Sequence, residues 1–220
     1  MSGELNTGQG RCQGTARLLI SPVRAVIELG ASGDVLATTL KAVHHANRHG
    51  STEDFIAVAL PMMRMGRNCM LPGHEVELIG SERCLSAFLA LDGLTSLMRR
   101  GMLKPAEIDE AFLEPGETGA AYVRDRACEK HTAGWLRRNK ARAKRRGKPW
   151  QEKRAKLKAN DLSVLALHYG ESVLHVRQMI AEMSDAPLMV STYGFSSPTA
   201  GGQAVLPVLP DAAREAHDAA

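Results

Sequence analysis

VRAVIELGASGDVLATTLKAVHHANRHGSTEDFIAVALP, residues 23–61, is the stretch on which the fold turns. Its first seven residues are rich in β-branched side chains and bounded by Pro22 and Gly30, which predicts a strand over 23–29. Residues 34–49 then predict a helix, opened by a cap region at Ser32 and Asp34 and closed by Gly50. Residues 55–60 predict a second strand, stopped by Pro61. Further out, residues 75–79 predict a third strand, which leads through Ser81 and Glu82 into a helix over 83–91 that resumes to Arg100. Strand, helix, strand, strand, helix is most of a ferredoxin-like βαββαβ unit, whose last strand is expected between Ala111 and Tyr122.

Beyond that point the composition changes. Residues 132–146 are rich in Lys, Arg and Ala, with Gly134 the one weak former, and predict a helix. At about 100° per residue, Arg137, Lys140 and Lys144 share one side, flanked by Arg138, Arg142 and Arg145. Leu136, Asn139 and Ala143 form a narrow uncharged stripe opposite. Gly147, Lys148 and Pro149 end this helix, residues 150–158 predict a second short one, and residues 164–167, 173–180, 189–193 and 205–208 predict strands. The expected fold class is α+β. A ferredoxin-like domain covers 16–121, and a second domain over 122–210 combines the arginine-rich helix with antiparallel strands. Residues 1–15 read as a flexible leader and 211–220 as a flexible, alanine-rich tail.

Composition excludes several classes. Hydrophobic residues make up 44% of the 220 positions but aromatics only 4%, so Leu, Val, Ala and Met must fill the core. No segment approaches the about 18 uninterrupted apolar residues of a membrane span. The first eleven residues lack the layout of a secretory signal, so no membrane partner and a cytoplasmic location are expected. Cys12, Cys69, Cys84 and Cys128 are far apart, without a CxxC pair, so no metal site and no cofactor are expected. Met62, Met63, Met65 and Met70 read as loop packing, His168 and His175 as structural, and Trp135 and Trp150 as packing for the basic helices.

The formal net charge of +4 hides a segregation. Residues 122–158 hold 15 Lys and Arg against 3 Asp and Glu, a net +12 in 37 residues, while the rest of the chain sums to −8. A one-sided block of this density marks a polyanion partner. A DNA-reading basic region would need heptads or a dimer seam, and neither follows. Long arginine side chains suit a short or distorted RNA stem, where guanidinium groups bridge phosphates and grip guanine edges. An RNA hairpin is therefore the expected ligand. On the helix over 34–49, Leu36, Leu40, Val43 and Asn47 form the inward stripe; His45 falls opposite it and His44 flanks it. An imidazole on a substrate face can take the ribose 2′-OH proton or protonate the leaving 5′-oxygen.

Three further stretches stand in a set order. Ala57-Val58-Ala59-Leu60-Pro61 follows His45 with eleven residues between; Arg126 and Lys130 precede Trp135-Leu136-Arg137-Arg138 and Arg142; and Tyr193-Gly194-Phe195-Ser196 precedes Leu206-Pro207-Val208. In these, over roughly residues 23–210, the chain resembles the CRISPR-associated pre-crRNA-processing endoribonuclease family of subtype I-F (Ypest type). The resemblance implies a protein that binds the stem-loop of a CRISPR repeat with its arginine helix in the major groove. It implies cleavage at the 3′ base of the stem by metal-independent 2′-OH attack, leaving a 2′,3′-cyclic phosphate. The product stays bound, and the protein becomes the crRNA 3′-end subunit of an effector complex with other subunits. It assigns His45 as general base or acid, Tyr193 as its orienting neighbour, and Arg126, Lys130, Arg137, Arg138 and Arg142 to the RNA, to which the cationic arc of the helix adds Lys140, Lys144 and Arg145.

The chain also departs from that family. Where the family has Ser-x-Ser-Thr-Gly to hold the ribose hydroxyl, this chain has Tyr169-Gly170-Glu171-Ser172, leaving Ser172 or Tyr169 to take the role. Cys128 stands where the family often has a base-contacting Gln. These departures fit a divergent subtype or a type IV relative. They keep two other readings open: a cleavage-deficient crRNA hairpin-binding subunit, and a basic RNA-binding protein outside CRISPR systems.

Overall fold

The computed structural model describes residues 5–112, 114–126, 133–150, 164–169, 172–197 and 203–207. The chain runs β1 (Gln9–Cys12), β2 (Ala16–Ile20), α1 (Arg24–Glu28), α2 (Ser32–His49), β3 (Ala57–Ala59), β4 (Arg64–Met65), β5 (Met70–Leu71) and β6 (Val76–Gly80). There follow α3 (Glu82–Leu89), α4 (Asp92–Arg99), β7 (Ile108–Glu110), β8 (Thr118–Arg124) and the basic helix α5 (Ala133–Arg145). It ends in β9 (Val164–Tyr169), β10 (Ser172–Glu182), β11 (Leu188–Ser191) and β12 (Leu206–Pro207). Mixed helix and strand make it an α+β protein. One sheet has the order β3-β6-β2-β7 and a second the order β12-β8-β10-β9, every pair antiparallel.

Two strands are not where the sequence pattern puts them. The first sheet begins with Ala16–Ile20, whose alternate residues Ala16, Leu18 and Ile20 are buried. Residues 23–29, expected as that strand, instead contain α1, which buries Val26 and pairs Arg24 with Glu28 at 2.7 Å across one turn. Val23, Val26 and Ile27 satisfy a short helical face as well as a strand, and the isoleucine-bearing turn is held by the Arg24–Glu28 spacing that only a helix makes adjacent. The fourth strand is Ile108–Glu110, upstream of the expected window, while Thr118–Arg124 goes to the second sheet.

The domain division also changes. Residues 1–15 were expected as a loose leader, yet β1 pairs antiparallel with β11, from Gln9 opposite Ser191 to Cys12 opposite Leu188. The expected boundary between 121 and 122 falls inside β8. One apolar core holds Leu18, Leu40, Val43 and Leu78 from the first sheet and its helices together with Leu167, Val176 and Phe195 from the second part. The tail over 211–220 and all but Trp150 of the short helix expected over 150–158 lie outside the described residues.

Helix α2 follows expectation. Leu36, Leu40, Val43 and Asn47 are all buried, and the helix stops at Gly50. Asn47 is the polar member of that stripe, and it is fully used. Its amide donates to the Ile56 carbonyl at 2.9 Å and its oxygen accepts from the Ile56 N–H at 2.8 Å, tying α2 to the chain entering β3. The expected helix over 83–100 breaks into α3 and α4. Ser81 caps α3 by accepting from the Cys84 N–H at 3.1 Å, a contact of a type worth about 1 kcal/mol.

Two contacts weld the sheets. The Tyr122 hydroxyl on β8 donates to the Leu60 carbonyl at 3.0 Å and accepts from Gln178 at 3.0 Å. β3 pairs only with β6, and on its other side the Val58 N–H donates to the Gly194 carbonyl at 2.9 Å. Gly194 has φ +79, and a Cβ there would lie 2.5 Å from Val58 and 3.1 Å from Val43. Gly30 has a similar φ of +71 with nothing near it. Gly30→Ala is therefore expected to lose only the backbone cost, about 1 kcal/mol, and Gly194→Ala at least twice that, since overpacking adds about 1–3 kcal/mol. Urea unfolding of the two variants checks this; equal losses would show that the turn is not packed against β3.

Candidate functional site

The chain from Ser191 to Ser196 is a tight turn laid against α2 and β3. The Gly194 N–H donates to the Ser191 carbonyl and the Ser191 N–H to the Phe195 carbonyl, both at 2.8 Å, while Phe195 is fully buried. This brings Tyr193 to α2, and the residue it meets is His44. The two rings stack with centroids 4.1 Å apart and planes 8° from parallel. The His44 Nδ1 lies 3.2 Å from the Thr192 carbonyl. A carbonyl can only accept, so Nδ1 carries the proton and the neutral ring keeps its lone pair on Nε2.

His45 is placed differently. It is exposed on α2, its ring 4.3 Å from that of His49 and tilted by 35°. The expectation that Tyr193 orients His45 is thus corrected: Tyr193 packs on His44. The reason is helical phase. His44 flanks the buried stripe and lies at its rim, where α2 passes the turn, whereas one further residue rotates His45 by about 100° toward solvent.

Burial lowers the His44 pKa below its ordinary 6.5; the Thr192 carbonyl opposes this, and the charges of Arg48 and Arg124 add to the lowering. At neutral pH the ring is therefore uncharged, which is the form a general base needs. The Arg124 guanidinium carbon lies 5.1 Å from the Tyr193 ring centroid, within cation–π range. Beside this group opens a cleft of about 400 Å³, lined among others by Gln9, Arg124, Arg126, Ser191, Tyr193 and Ser197. The Ser191 hydroxyl is buried and has no hydrogen-bond partner among the described residues.

Helix α5 carries the expected cationic surface. Arg137, Arg138, Lys140, Arg142, Lys144 and Arg145 are all exposed, while Leu136, Asn139 and Ala143 are half-buried, so the uncharged stripe is the side turned inward. The Asn139 amide donates to the Trp135 carbonyl at 3.3 Å. Arg126 is exposed at the end of the segment that leaves β8. Lys130 and Cys128 lie outside the described residues. Ser172 opens β10 opposite Tyr169, with both side chains outside them too.

Arg124 and the cleft wall from β1 escaped sequence reading. Arg124 had a usable signal: it opens the basic block and precedes Arg126 by two. The contribution of β1 had none, because its partner strand is some 180 residues away. Among the described residues no group of His, Cys, Asp or Glu could hold a metal ion, and no helix is long and apolar enough to cross a membrane. No protein-family model matches the chain, and no curated protein matches it in sequence.

The lowered His44 pKa has a sign that can be checked. The unfolded chain takes up a proton at about 6.5 more readily than the folded one, so the stability linked to this group is present above that pH and lost as pH falls through it. In an NMR titration the His44 midpoint is expected below 6.5, and Tyr193→Ala is expected to move it up toward that value by readmitting water. A midpoint indifferent to Tyr193 would remove burial as the cause.

Proposed function

We propose that this protein is a hairpin-specific, metal-independent endoribonuclease of the CRISPR repeat-processing kind, acting through His44, and that it retains its product as the crRNA 3′-end subunit of an effector complex. The observation that carries this reading is a neutral imidazole, stacked on Tyr193 beside a cleft holding Arg124 and Arg126, in a chain whose helix α5 turns six cations outward. The first sheet supports the fold implied by the resemblance. Its order β3-β6-β2-β7, with α2 linking β2 to β3 and with α3 and α4 linking β6 to β7, supports reading it as a ferredoxin-like βαββαβ unit.

In this reading α5 and Arg126 hold the phosphates of the stem, and the chemistry needs few groups. Nε2 of His44 removes the 2′-OH proton, the oxygen attacks the adjacent phosphorus, and the bond to the 5′-oxygen breaks with a proton returned to that oxygen. The products are a 2′,3′-cyclic phosphate and a 5′-hydroxyl. Arg124 lies near enough to offset charge building on the phosphate. A second reading, hairpin binding without cleavage, is favoured by the departure at residues 169–172 from the family's hydroxyl-holding segment.

Cleavage of a repeat hairpin in EDTA tests both. His44→Ala is expected to slow the cut by about 10²-fold or more while hairpin binding survives, and His45→Ala to change it only a few-fold. A wild type that binds and never cuts selects the second reading; a normal cut by His44→Ala removes His44 from the chemistry. For the grip, Arg137, Arg138 and Arg142 changed together to Ala should weaken binding. The slope of log affinity against log salt should flatten by about one unit per lost phosphate contact. An unchanged slope would take α5 out of the interface.

A further inference from the structure

We propose that the cleft between β1, β8 and the 191–197 turn is a binding site for one unpaired nucleotide flanking the hairpin stem, and so a determinant of which hairpins are accepted. This rests on the RNA-binding reading above and adds a ligand to it. Three observations carry it. The first is size: about 400 Å³ sits at the lower end of small-molecule sites, which run from about 300 to 1,000 Å³, a scale suited to one nucleotide rather than to a base pair. The second is charge. Arg124 and Arg126 both line the cleft, two residues apart where β8 runs out, and offer guanidinium groups to one phosphate.

The third is the polarity of the lining. Gln9, Ser191 and Ser197 border the cleft, residue types suited to a base edge or a sugar. These walls are held in place from outside the cleft. Asn6 donates to the carbonyls of Asn47 and Gly50 at 2.9 and 2.8 Å, anchoring the chain that enters β1 to the end of α2. The site is thus built before a ligand arrives, which spares the ordering cost of binding.

The probe is a mixture of the four ribonucleoside 3′-monophosphates, titrated into the full chain and followed by amide NMR shifts. Saturable shifts are expected at residues 7–9, 123–126 and 191–197. Arg124→Gln with Arg126→Gln should weaken the affinity at least tenfold, and Gln9→Ala a few-fold. Inorganic phosphate should bind at least tenfold more weakly than the nucleotides. No shifts at the cleft, or equal binding of bare phosphate, would overturn the proposal. A repeat hairpin with one unpaired nucleotide beside the stem, compared with a blunt one, gives the second measurement: tighter binding of the former in wild type but not in Gln9→Ala supports the site. Failure of both hairpins to bind, with nucleotides still bound at the cleft, would sink the hairpin reading and leave the nucleotide site standing.

Discussion

A single hydrogen bond with its surrounding fit, from the Val58 N–H to the Gly194 carbonyl, is what the remaining architecture leans on. β3 would otherwise present an open edge, and open edges invite pairing with other chains. The turn that closes it also delivers Tyr193 and the Thr192 carbonyl to the rim of α2, where they set the ring plane and tautomer of His44. Edge protection and imidazole placement are therefore one contact. Only glycine allows it, because the approach to Val58 and Val43 leaves no room for a side chain and the backbone is left-handed at that point.

Around this joint the charges divide the labour. Helix α5 spends almost no surface on packing and turns its cations to solvent, which suits long-range, salt-sensitive attraction to a polyanion. The cations nearer His44 are fewer and better held. Arg124 is half-buried over Tyr193, and its charge helps to keep the imidazole unprotonated. In the proposed function, grip and chemistry fall to different parts of one chain.

Much of this was legible in the residues. The stripe of α2, the Ser81 cap, the extent of the basic helix and the strands after it follow from periodicity and punctuation, which are local. What failed was either degenerate or distant. Val23, Val26 and Ile27 fit a strand or a short helix equally, and Ala16–Ile20 already fills the place between β6 and β7 that such a strand would take. Gln9–Cys12 is polar and glycine-bearing, with no strand signature, and becomes a strand because Leu188–Ser191 offers it a partner. The choice between His44 and His45 turned on one step of helical phase, since a flanking residue and an opposite one differ only in what tertiary contact reaches them.

The pairing of β1 with β11 joins residues near one end of the chain to residues almost at the other. During synthesis, the ribosome would have released the cationic helix and all of the first sheet well before Leu188–Ser191 emerged. The turn that carries Tyr193 to α2 is therefore set in place only after the first sheet and α5 have been made. Such long-range closure also slows folding relative to a chain of local contacts.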